Sequence, residues 1–138
     1  MSDGTLPNKT ILIADDEPHL IRSLSYVLKR EGYRVESASD GPEAISKIES
    51  LRPDLVFLDL ILPHMDGFEI CRRIKSREDL RSIHVIILTA KGQGADRKRG
   101  LEAGADAFMT KPFSPKEIID TLRRVFGSSD GPSDPPRP

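Results

Sequence analysis

Five short apolar runs alternate strictly with stretches of helical spacing, and this alternation constrains the chain more than any other feature. Thr10–Ala14 is apolar and β-rich and runs into Asp15-Asp16-Glu17-Pro18. Arg34–Ala38 alternates like a strand. Asp54–Leu58 is a continuous apolar run ending in Asp59, His84–Leu88 ends in Thr89, and Ala105–Met109 ends near Lys111. Between them, Leu20, Ile21, Leu24, Val27 and Leu28 recur at helical spacing and stop at Gly32. Asp40 is placed to cap a helix carrying Ala44, Ile45, Ile48 and Leu51. Phe68, Cys71 and Ile74 mark a third helix after a loop with Pro63 and Gly67. Gly92, Gly94 and Gly100 dilute a weak fourth helix. Ser114-Pro115 opens a fifth, with Ile118, Ile119, Leu122, Val125 and Phe126.

Strand–helix units in this order predict a parallel sheet covered on both faces. Right-handed crossovers leave few topologies. The expected architecture is a single α/β domain, a (βα)5 flavodoxin-like doubly wound fold with sheet order 2-1-3-4-5. Strands 1 and 3 then lie side by side at the switch point, where ligands bind beyond the strand C-termini.

A length of 138 residues with 37% hydrophobic and 31% charged residues suits one modest core. Residues 1–9 read as an arm without signal-peptide character. Residues 10–126 form the domain. In 127–138, nine of twelve residues are Gly, Ser or Pro, which predicts a disordered tail or the start of a linker. No apolar run is long enough to span a membrane. Twenty-one basic against twenty-two acidic residues give a net charge of −1, which argues against direct nucleic-acid binding. The lone Cys71 fits a reducing, cytoplasmic setting. With three scattered histidines it leaves no usual zinc site, so any metal must be held by oxygen.

The polar strand ends carry the chemistry. The fold collects Asp15, Asp16, Asp59, Thr89 and Lys111 at one edge of the sheet. Two like charges at about 4 Å repel by roughly 1 kcal/mol in water and about 4 at an effective dielectric of 20. A hard cation relieves this, and carboxylates without His or Cys favour Mg²⁺. Lys111 and Thr89 add a cation and a hydroxyl, so the edge suits a phosphoryl group, whose transfer needs positioning and charge neutralisation. A carboxylate can act as nucleophile and form an aspartyl-phosphate, and Asp59, at the end of the central strand, is the best candidate.

The chain resembles a receiver domain of the two-component response regulators. The resemblance rests on ILIADDEP (11–18), LVFLDLILPHMDG (55–67), VIILTAKG (85–92) and GADAFMTKPF (104–113), in the family's order and spacing over about residues 9–127. It implies that Asp59 accepts a phosphoryl group from a sensor histidine kinase or phosphotransfer protein. Asp16 and Asp59 would ligate Mg²⁺, with Asp15 often acting through water and the backbone carbonyl of Ile61 completing the protein's share; Mn²⁺ would substitute. Lys111, Thr89, Ala90 and Leu60 would hold the phosphate. Lys111-Pro112 would be cis. Phe108 occupies the switch-aromatic position and would turn inward as Thr89 moves, remodelling the face of the fourth helix, fifth strand and fifth helix. That face would then meet a downstream effector protein or an output domain.

The same resemblance implies a protein that is no enzyme beyond its own phosphorylation and dephosphorylation. A haloacid-dehalogenase-like phosphatase would need Asp-x-Asp after its first strand, whereas Asp59 is followed by Leu60 and Ile61. A pseudo-receiver would lack the intact acidic pair, Asp59, Thr89 and Lys111. Receivers of winged-helix regulators dimerise through charged pairs, of which only Arg97 and Glu117 match here. Ala95, Ala107 and Thr121 stand where charged partners are usual, so a monomer or weak dimer is expected. Ile61 and Lys91 lack a carboxylate or amide to orient attacking water, which predicts a long-lived phosphoryl group. Cys71 is expected to be half-buried, the histidines to lie on the surface or in loops, and Arg97-Lys98-Arg99 to form a solvated helix face.

Overall fold

A computed structural model describes residues 9–90 and 94–127. The arm before Lys9, the tail beyond Gly127, Lys91 and the side chain of Ala95 lie outside the described residues. Among the described residues, seven strands and five helices follow in chain order: β1 (Thr10–Ala14), α1 (Pro18–Arg30), β2 (Arg34–Ala38), α2 (Gly41–Leu51), β3 (Leu55–Asp59), β4 (Ile61–Leu62), β5 (Met65–Asp66), α3 (Gly67–Ser76), β6 (His84–Ala90), α4 (Gly94–Glu102), β7 (Ala107–Lys111) and α5 (Pro115–Phe126). Five of the strands form a parallel sheet in the order β2-β1-β3-β6-β7. With β6 and β7 as fourth and fifth strands, this is the expected 2-1-3-4-5 order.

The period-two alternation of the strands divides the core in two. Leu12, Ala14, Val56, Leu58, Val85 and Ile87 pack with Ile48, Ile70 and Ile74 of α2 and α3. Ile11, Ile13, Leu55, Phe57, Ile86 and Leu88 pack with Leu24 and Leu28 of α1 and Ile118 and Leu122 of α5. Burial on both faces is why β1 and β3 carry no alternation in sequence.

Local signals set the helix starts. Asp40 and Asp66 accept from the Glu43 and Glu69 amides, each at 2.8 Å. Ser114 and Glu117 make a reciprocal capping box behind Pro115. Gly32, at φ 96°, follows the end of α1.

The structure amends three expectations. The third and fifth sheet strands end as expected, at Asp59 and Lys111, in the register Asp59↔Leu88 and Ala90↔Lys111, but β6 runs one residue past Thr89 to Ala90 and β7 starts at Ala107 rather than Ala105. The loop after Asp59 contains the antiparallel pair β4–β5. Cys71 is fully buried rather than half-buried, and burial pushes its thiol up to about 11. His84 opens β6, as the run His84–Leu88 predicts; it is half-buried near Asp106 and Lys75, and desolvation pushes its pKa down.

Candidate functional site

Asp15 follows β1 directly and is 0% exposed. A bare buried carboxylate would be costly. Here one oxygen accepts the Glu17 amide at 2.9 Å and the other accepts the Lys111 ammonium at 2.9 Å. Lys111 reaches the carboxylate from β7, across the sheet, and its Nζ also lies 3.6 Å from Asp59 Oδ1. Burial opposes the lysine's charge, but the Asp15 and Asp59 carboxylates outweigh it and hold its pKa above the ordinary value.

Asp59 ends the central strand with its side chain 14% exposed. Its Oδ1 accepts a long bond, 3.5 Å, from the Ile61 amide. Burial first, and then the Asp15 charge, push its carboxyl above the usual range, and Lys111 only partly offsets them. Asp16 is exposed beside Asp15. One oxygen from each of Asp15, Asp16 and Asp59 lies within 4.8 Å of the others. Three carboxylates against one ammonium leave two excess negative charges. The donors are all hard oxygens, so the residues present fit a small divalent cation such as Mg²⁺.

Thr89 is 7% exposed and lies beside Thr110 in the next strand. Ala90 ends β6 at the same edge, and Leu60, buried, leaves Asp59 on the other side. Ile61 turns its side chain to solvent, 81% exposed. The Lys111-Pro112 peptide is cis, as expected. Asp15, Asp16, Asp59 and Lys111 therefore form one constellation.

Phe108 pairs with Ile87 and packs on the α2–α3 side of the core. A Cβ at Gly100 of α4 would stand 2.5 Å from its ring, so only glycine leaves the ring its place. The Arg97 guanidinium covers the ring at 4.8 Å from its centroid. Arg99 lies over Phe68 at 4.1 Å, so the basic cluster is more than a solvated face.

Sequence reasoning passed over two glycines. A Cβ at Gly67 would stand 2.6 Å from the Asp59 carbonyl oxygen and 2.9 Å from Leu60 Cα. Gly67 thus lets α3 start directly against the Asp59 backbone. Gly41, at the start of α2, meets Met65 in the same way. Only the Pro63…Gly67 loop composition hinted at such tight packing.

Comparison with known proteins agrees with this geometry. The family model described as the response regulator receiver domain matches residues 11–123. The alkaline phosphatase synthesis transcriptional regulatory protein PhoP of Bacillus subtilis is 43% identical over 123 residues, 89% of this chain and 50% of that protein. The chain spans about half the length of the curated relatives it matches. The chemotaxis response regulator CheY4 of Vibrio cholerae superposes with a TM-score of 0.80 at 30% identity, covering 86% of this chain and 98% of that one. The receiver domain of a sensor histidine kinase from Pseudomonas aeruginosa, solved with a magnesium ion coordinated in its active-site cleft, gives 0.79 at 34% identity, covering 88% and 99%. With the family model matching most of its length and the strand order of that fold in place, the chain belongs to the response regulator receiver domain family.

Proposed function

We propose that Asp59 is the phosphoryl acceptor of this receiver and that Asp15, Asp16, Asp59 and the Ile61 carbonyl hold Mg²⁺, for which Mn²⁺ substitutes. One observation carries the reading: Asp59 is a half-buried carboxylate at the end of the central strand, with Lys111 and two further carboxylates around it. When bound, the cation neutralises excess negative charge at the acceptor and on the incoming phosphate.

An Asp59 oxygen attacks phosphorus, the P–N bond of a phosphohistidine breaks, and the imidazole takes up a proton. The donor is a sensor histidine kinase or a phosphotransfer protein. The added charge is about −1.5 to −2. Lys111, already between Asp15 and Asp59, pairs with a phosphate oxygen. The Thr89 hydroxyl and the Leu60 and Ala90 backbone take the others. The protein modifies only itself and turns over no separate substrate. A cytoplasmic location follows from the kinase's reaction, and among the described residues no helix is long and apolar enough to cross a membrane.

The output is a changed α4–β7–α5 face. Phosphate draws Thr89 toward Asp59, and Phe108 follows into the space this opens. The face presents a groove with Phe108, Glu117, Asp120 and Arg124 to an effector protein or output domain. Arg97 already stacks on Phe108, and Glu117 caps its own helix by accepting the Ser114 amide at 2.7 Å. Both members of the one matching dimer pair are therefore engaged within the chain, which supports a monomer or weak dimer.

Incubation with Mg²⁺ and acetyl phosphate, followed by intact mass, tests the reading. One phosphoryl adduct is expected on the wild-type protein, and none with a chelator or in Asp59→Asn. A folded wild-type protein that takes no phosphate would be a pseudo-receiver with a constitutive docking face.

A further inference from the structure

We infer that Gly41, a residue outside the acidic cluster, positions the cation site by docking the β4–β5 hairpin that carries the Ile61 carbonyl. The inference rests on the proposed function and deepens it.

A backbone ligand cannot adjust by rotating a side chain. The Ile61 carbonyl is placed only by whatever fixes the segment 60–66. The Ile61 side chain, mostly in solvent, does not anchor it. Three other features do. The pairs Ile61↔Asp66 and Leu62↔Met65 close the hairpin. The Gly67 amide donates to the Leu60 carbonyl at 2.9 Å at its base. At its tip, the Gly41 amide donates to the Pro63 carbonyl at 3.0 Å, and Met65 sits directly on the Gly41 Cα. The tip also holds His64 at φ 72°, a left-handed conformation that is uncommon outside glycine.

Gly41 is the first residue of α2, and its φ lies outside the left-handed region. Alanine fits that backbone and is the better helix former. The backbone therefore gives no reason for glycine here; the contact does. A Cβ at Gly41 would overlap Met65 Cβ and stand 3.3 Å from Met65 Cα. A backbone atom cannot swing aside, so the hairpin must move away from α2 and carry Ile61 with it.

Mg²⁺ and Ca²⁺ respond differently to such a shift. Mg²⁺ demands near-ideal octahedral geometry, whereas Ca²⁺ accepts variable ligand number and longer distances. Gly41→Ala should therefore lose Mg²⁺ affinity selectively. A purely structural defect would weaken both ions together.

The test is calorimetric titration of the full chain with Mg²⁺ and separately with Ca²⁺, with circular dichroism as the check of folding. Gly41→Ala is expected to bind Mg²⁺ on the order of tenfold more weakly, the scale of lost outer-shell support. Ca²⁺ affinity should change far less, because Ca²⁺ tolerates variable ligand number and distance. Adding Met65→Gly, which removes the overlapping Cβ, should restore Mg²⁺ binding. Unchanged Mg²⁺ affinity, an equal loss of both ions, or no recovery in the double variant overturns the inference and leaves the proposed function standing. If Gly41→Ala does not fold, hydrogen exchange at the wild-type Gly41 amide decides: slowing on Mg²⁺ addition supports the dock, and no change overturns it. A wild-type protein that binds no Mg²⁺ would contradict the proposed function and the inference with it.

Discussion

Lys111 Nζ lies 2.9 Å from Oδ2 of the fully buried Asp15. This bond ties the last residue of β7 to the turn after β1, on either side of the central strand that ends in Asp59. It holds a cation at the acceptor and gives a buried carboxylate its partner.

Removing one partner of such a pair strands the other. Lys111→Met is expected to lower stability by about 3 kcal/mol, the low end for a buried pair because the lysine is partly exposed. Added Mg²⁺ should recover much of the loss, because the cation replaces the missing positive charge. Urea unfolding with and without Mg²⁺ checks both statements. A variant as stable as wild type in the absence of cation would show that Asp15 does not depend on Lys111.

Asp59 carries the opposite signature. Its folded-state pKa is raised, so its ionisation opposes folding. That penalty is absent at pH below the unfolded carboxylate range and complete once pH has risen past the folded value. At neutral pH without Mg²⁺, Asp59→Asn should therefore be more stable than wild type, by on the order of 1 kcal/mol for one partly screened like-charge contact. The gain should shrink on acidification and on addition of Mg²⁺. Thermal melts of the two proteins from pH 4 to 8 measure it.

Cys71, on α3, gives an independent pH test outside the acidic cluster. Burial raises its thiol from an ordinary value near 9 to about 11. Stability is therefore unaffected below pH 9 and falls as pH rises through 9 to 11, at up to about 1.4 kcal/mol per pH unit. Cys71→Ala should lose less over that window. The wild-type thiol should also resist a disulfide reagent at pH 8 until the protein is unfolded.

Much of the acidic constellation was legible in the sequence because each member follows or ends an apolar run, and the parallel topology brings those ends together. The start of the last strand was not, since pairing with β6 begins at Ala107 rather than Ala105. The β4–β5 pair escaped because two-residue strands have no periodicity to detect. Gly67 and Gly100 read as loop or helix-diluting residues and Gly41 carried no signal, yet each is required where another chain segment approaches its Cα. Arg97 and Arg99 looked solvated because a guanidinium over an aromatic ring depends on tertiary placement.

The Phe108 seat can be probed from both sides. Gly100→Ala should destabilise by about 1–3 kcal/mol through overpacking, against a helix-propensity gain of up to about 1. Arg97→Ala should lose only the stacking contact, about 0.5–1 kcal/mol. Equilibrium denaturation separates the two, and a stabilised Gly100→Ala protein would mean the ring has another place to go.

Ile61 bears on how long the signal lasts. It is exposed beside Asp59 and offers no group to orient water. The phosphoryl form should persist for minutes or longer, and Ile61→Gln should shorten its life. Phosphate release after donor removal measures this, and loss within seconds from the wild-type protein would contradict it.

The central claim is that Asp59, among three neighbouring carboxylates, takes the phosphoryl group. Borohydride reduces an acyl phosphate to an alcohol, converting the modified aspartate to homoserine. Reduction after treatment with acetyl phosphate and Mg²⁺, followed by peptide mass mapping, locates it. The account requires homoserine at position 59 alone and none without the donor; homoserine at Asp15 or Asp16, or unmodified Asp59 in folded protein, would contradict it.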